Sequence, residues 1–246
     1  ELAMSDQNNT DNSRIAYLDK IRALIVLLVV VIHVTDAYSQ YTTWWPINDN
    51  NAFLFDIVLI TLDLFIMPTL FFISGYCALL SIRTKTLSAF LYGKLIRLVI
   101  PWLVGISVMG VISRYFYNLS RGFNLNLSRF FSEHFQGMFS LSTGFIYDQS
   151  QFNQQHLWYI SVLLVFTLVF GISYKLTAHM RSNPIATNCV TKKSVFGVFI
   201  AAIVVGIVST YLYSKFSIGS ALITSFLQFQ PSRITLYIAM FVLGII

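Results

Sequence analysis

Hydrophobic and polar positions along this chain do not alternate at the period of a strand or of an amphipathic helix. They fall instead into long, almost uninterrupted apolar runs divided by short segments that carry the charges. A helix needs about 20 mostly apolar residues to cross roughly 30 Å of hydrocarbon at 1.5 Å per residue. Five runs satisfy that length: near Leu18–Tyr38, Ala52–Leu80, Gly93–Tyr115, Leu157–Tyr174 and Ser194–Ser214. A sixth begins near Ser232 and is still apolar at Ile246, so the sequence reads as interrupted inside a helix. The predicted fold is an all-α, polytopic transmembrane helical bundle of five full spans and a sixth cut short. Residues 1–15 form a polar N-terminal tail and residues 16–246 the membrane domain.

Composition strengthens this reading. Hydrophobic residues make up 56% of the chain and charged ones 11%, with a mean hydropathy of +0.70. Soluble domains carry about 25% charged residues. The net charge of +6 is no sign of nucleic acid, because the basic residues sit at the ends of the apolar runs. They also set an orientation. With the N-terminus inside, the inner segments hold Arg14, Lys20 and Arg22, then Arg83, Lys85, Lys94 and Arg97, then Lys175, Arg181, Lys192 and Lys193. Only Arg114, Arg121, Arg129, Lys215 and Arg233 fall outside. The two cysteines, Cys77 and Cys189, then face the cytoplasm as reduced thiols, and no CxxC or Cys/His spacing suggests a metal. The long outer segment Phe116–His156 is rich in phenylalanine. Its stretch Leu127–Leu141 reads as a helix lying in the membrane interface, or as an aromatic platform for a sugar.

Ionisable residues inside a spanning helix are costly and are functional candidates by default. Arg22 and His33, eleven residues apart, point the same way on the first helix with an axial separation of about 16 Å. Asp36, three residues past His33, is placed to orient its imidazole. His33 with Asp36 is therefore the candidate base, although such a histidine also serves to bond a neighbouring helix. Arg22, Lys94 and Arg97 would form a basic inner mouth suited to phosphate, or simply reflect positive-inside bias. Asp63 on the second helix requires an Arg or His partner, and Met67-Pro68 there predicts a kink. His156 is a candidate for an outward-facing site. Trp158 and Tyr159 are expected as interfacial belt residues, with Trp158 also a candidate substrate contact.

These residues fall in blocks. Tyr17-Leu18-Asp19-Lys20-Ile21-Arg22-Ala23-Leu24 followed by His33 resembles the opening of the membrane acyltransferase 3 family. Phe65–Tyr76, Lys94–Trp102 and His156–Ile160 are similar to three further blocks of that family, in the same order. The resemblance implies transfer of an acyl group, acetyl or succinyl, from cytoplasmic acyl-CoA to the hydroxyl of an extracytoplasmic glycan. It also implies that the Arg and His of the first block, Arg22 and His33, carry function. Membrane lipid, acyl-CoA and a glycan acceptor are the expected partners in a bacterial inner membrane, with no permanently bound cofactor or metal. The competing class is a transporter or flippase of an envelope-glycan precursor, in which the same His and Asp would relay protons.

Overall fold

The computed structural model describes residues 2–42, 45, 49, 51–123, 126–140, 144–146, 152, 154–178, 192–216 and 220–246. Side chains are described for these except 2–16, 145–146, 178, 192–196, 199, 220 and 222–224. Cys189, His179 and Arg181 lie outside the described residues.

The apolar runs fold as the helices they predict. Helix α1 runs unbroken from Leu2 to Thr35. α2 covers Phe53–Arg83, α3 Leu87–Gly105 and α4 Val111–Ser120. A π-helical turn, Ile106–Gly110, joins α3 to α4 and makes one rod of Leu87–Ser120. α5 is Leu127–Met138, α6 Trp158–Ala178, α7 Lys192–Phe216 and α8 Pro231–Ile245. Among the described residues, four stretches, Tyr17–Tyr38, Phe53–Arg83, Leu87–Ser120 and Gln155–Thr177, are long and apolar enough to cross a membrane. On α7 the described apolar stretch, Ile200–Phe216, is shorter than a full span, as is α8. The protein is an all-α membrane bundle.

Lipid takes the place of water around it. Val26, Leu27, Val30, Leu64, Val104 and Val169 all present more than half of their surface outward, an arrangement tolerable only in hydrocarbon. The interior is aromatic. Phe71 is fully buried, stacks on Tyr237 at 4.9 Å and meets Tyr159 edge-on at 4.8 Å, joining α2, α6 and α8. A second cluster, Ile25, Ile66 and Ile73, seats α1 on α2.

One feature had no periodic signal in the sequence. A three-stranded antiparallel sheet, β1 (Gly144–Ile146), β2 (Ser220–Thr224) and β3 (Leu227–Phe229), adorns the end of the bundle where His33 lies. Gln154, buried at 1% exposure, ties that sheet down. Its amide Nε2 donates to the Ser225 carbonyl at 2.9 Å, its backbone N–H to Gln228 Oε1 at 2.7 Å, and its Oε1 accepts from Trp102 Nε1 at 3.2 Å. The helix expected within Leu127–Leu141 is α5, and it is amphipathic. Asn126 caps it by accepting from the Ser128 and Arg129 amides. Phe130, His134 and Met138 face inward at intervals of one turn, and Leu127, Phe131 and Phe135 face out. The sequence assigned His134 nothing. Its Nε2–H donates to the carbonyl of Ile106, where the π turn begins, and burial holds the imidazole below its ordinary pKa against the raising effect of that bond.

Candidate active site

The last turn of α1 gives way to a one-turn 3-10 segment, Asp36–Tyr38, which swings the Asp36 carboxylate beside His33. His33 Nδ1–H donates to Asp36 Oδ2 at 3.2 Å. A carboxylate only accepts, so this bond assigns the proton to Nδ1 and leaves the Nε2 lone pair free as a base. Asp36 is 5% exposed at the side chain and His33 28%, so the acid is sheltered while the imidazole is reachable. The backbone carbonyl of Asp36 accepts from the Thr42 hydroxyl, which fixes the segment.

Two more rings close on His33. His156 lies with its centroid 3.9 Å away, and Trp45, from the α1–α2 connection, stacks on His33 at 5.5 Å and 10° between planes. Trp45 also meets His156 at 5.0 Å. The sequence placed His156 at an outward-facing site without joining it to His33, and offered no signal for Trp45. Gln155, immediately before His156, takes a left-handed φ of 47°, a conformation that costs free energy outside glycine. The Gln154 anchor on one side and α6 on the other hold it there.

At the other end of the bundle the basic residues gather. Arg22 reaches Asp19 Oδ1 at 3.2 Å and Cys77 Sγ at 2.6 Å. Lys94 is within electrostatic reach of Arg22, Arg97, Lys85 and Cys77, and its ammonium also lies 5.7 Å from the Phe90 ring. Arg22, Lys94 and Arg97 are thus brought together, with Lys85 beside them.

The remaining candidates stand apart from both groups. Asp63 Oδ2 pairs with Arg233 Nη2 of α8 at 2.5 Å, and Arg233 in turn bonds Tyr237. An Arg or His partner is expected for Asp63 from the sequence, and Arg233 fills that place from the first turn of α8, to which nothing in the sequence pointed. Asp56 accepts from the Ser39 hydroxyl at 2.6 Å and the Gln40 amide at 2.9 Å, buttressing the α1–α2 connection. Trp158 and Tyr159 correct the belt expectation. Trp158 packs on Tyr237 at 5.5 Å, and the Tyr159 hydroxyl sits 2.9 Å from Ser74 Oγ inside the bundle. Aromatic residues at the start of a span turn inward when buried partners for the ring and the hydroxyl lie there.

The family model described as an acyltransferase domain matches residues 15–246. The chain belongs to the acyltransferase 3 family. It is an integral-membrane acyltransferase, as its four long apolar helices and this match together require. Neither the curated proteins nor the solved structures searched contain a match. Within this acyltransferase, His33 with Asp36, His156 and Trp45 is the cluster equipped for proton transfer, and the Arg22 group the one equipped to hold anions.

Proposed function

We propose that this acyltransferase moves an acetyl or succinyl group from acyl-CoA, bound from the cytoplasm at Arg22, Lys94 and Arg97, to a hydroxyl of an extracytoplasmic glycan at His33. The observation that carries this reading is that one helix, α1, contributes a member to each group, Arg22 to the cationic cluster and His33 to the ring cluster. The His33–Asp36 pair stands about 16 Å along α1 from a cluster of cationic side chains, a separation given by eleven residues at 1.5 Å each. The basic ends of the helices support an orientation with the Arg22 end inside, by the positive-inside rule.

In the chemistry that follows, His33 Nε2 accepts the proton of the acceptor hydroxyl as its oxygen attacks the thioester carbonyl. The C–O bond forms, the C–S bond breaks, and the proton returns from imidazolium to the departing sulfur. Asp36 keeps Nδ1 protonated and stabilises the imidazolium, the division of labour of a His–Asp pair. Trp45 and His156 offer flat faces against which a sugar ring packs.

The phosphate role is tested by Arg22→Lys. Lysine keeps the charge and the insertion signal but loses the bidentate fork. Acyl-CoA affinity should fall about tenfold, roughly 1.4 kcal/mol, in protein that inserts normally. Wild-type affinity in equilibrium binding would remove the phosphate role from Arg22.

A further inference from the structure

Between the two ends lies a polar contact that the mechanism above does not use. The Tyr159 hydroxyl of α6 and the Ser74 hydroxyl of α2 are 2.9 Å apart, and Tyr159 also donates to the Leu70 carbonyl at 3.3 Å. Neither residue is fully buried. Position makes the pair notable. Ser74 lies one turn of α2 from Cys77, which touches Arg22, and Tyr159 is three residues past His156, which touches His33. Each step is about 4.5 Å along a helix. Arg22 with Cys77, Ser74 with Tyr159, and His156 with His33 therefore form three levels of one ladder. Tyr159 is also within electrostatic reach of Arg22.

The geometry points to Ser74 and Tyr159 as a subsite for the amide groups of the pantetheine arm of acyl-CoA, a reading that rests on the proposed acyl donor. With Tyr159 O–H given to Leu70 and Ser74 O–H given to Tyr159, the lone pairs of Ser74 Oγ are left to accept an amide N–H. An arm whose phosphates sit at Arg22 and whose thioester reaches His33 must pass this level. In a lipid-surrounded interior its amides need partners, because an unmade hydrogen bond there costs far more than in water.

The alternative use of the pair is as a polar staple between α2 and α6. Equilibrium binding to the purified full chain separates the two, with CoA and adenosine 3′,5′-bisphosphate as probes. The second carries phosphates but no arm. Tyr159→Phe, which keeps the ring against Phe71, and Ser74→Ala should each weaken CoA about fivefold, the worth of one neutral hydrogen bond. Both should leave bisphosphate affinity unchanged. Equal weakening of both probes, unchanged CoA affinity, or a lowered melting temperature with CoA affinity intact would each overturn the subsite. A wild-type protein that binds neither probe would instead overturn the acyl-CoA reading on which it rests.

Discussion

Replacing His33 with alanine is expected to abolish acyl transfer while leaving membrane insertion and acyl-CoA binding intact. A positioned general base contributes about 10²- to 10⁴-fold, and His33 has what that role requires. Its Nδ1 proton is committed to Asp36, its Nε2 lone pair is open, and its side chain remains partly accessible. Acyl-CoA binding should survive because the cationic group lies three turns away. Asp36→Asn should lower turnover less than His33→Ala, since an amide oxygen can still hold the Nδ1 proton but stabilises the imidazolium poorly. Turnover is read as acceptor acylation per mole of folded protein. If His33→Ala keeps a tenth of wild-type turnover, an effect of only about 1.4 kcal/mol, the base lies elsewhere, and His156 at 3.9 Å is the next group to replace.

The second large effect is structural. α2 and α8 cross so closely that Gly75 and Gly244 lie against each other's backbones. A Cβ at Gly244 would run into the Phe72 carbonyl oxygen and come within 2.9 Å of the Tyr76 amide; one at Gly75 would run into the Phe241 carbonyl oxygen. Backbone cannot swing aside as a side chain does, so the helices would have to separate. Separation breaks the Phe71–Tyr237 stack and the Asp63–Arg233 ion pair together. Overpacking costs about 1–3 kcal/mol where side chains yield and more where they do not. Gly75→Val and Gly244→Val are therefore expected to reduce the yield of folded, monodisperse protein by more than tenfold in detergent extracts. Gly206→Val on α7, where nothing lies within 4 Å, should extract like wild type. Normal yield of Gly244→Val would show that α2 and α8 do not pack this closely.

What the sequence made legible was whatever depends on one helix at a time. Run length gave α1, α2, the α3–α4 rod and α6. The three-residue step from His33 to Asp36 gave a hydrogen bond, because residues at that spacing share a helix face. The eleven-residue step from Arg22 gave the axis joining the two ends. What stayed hidden depends on contacts between helices distant in sequence. That His156 meets His33, or that Arg233 answers Asp63, has no periodic signature. Trp45 enters the site from a connection rather than a span. The sheet strands are only three to five residues long, too short for alternation to show. Trp158 and Tyr159 matched the belt rule by composition, yet an aromatic cluster inside the bundle won over the interface.

The two groups that α1 joins through Arg22 and His33 are proposed to serve a single transfer across the bilayer. Sealed proteoliposomes holding the purified protein and a glycan acceptor inside, with acyl-labelled acetyl-CoA or succinyl-CoA outside, test it most directly, read on vesicles whose protein presents the Arg22 end to the outer solution. Label should appear on the enclosed glycan with one free CoA thiol released outside per acyl group moved, and His33→Ala should stop both. Glycan crossing the membrane while the thioester stays intact would contradict the account and make the protein a transporter.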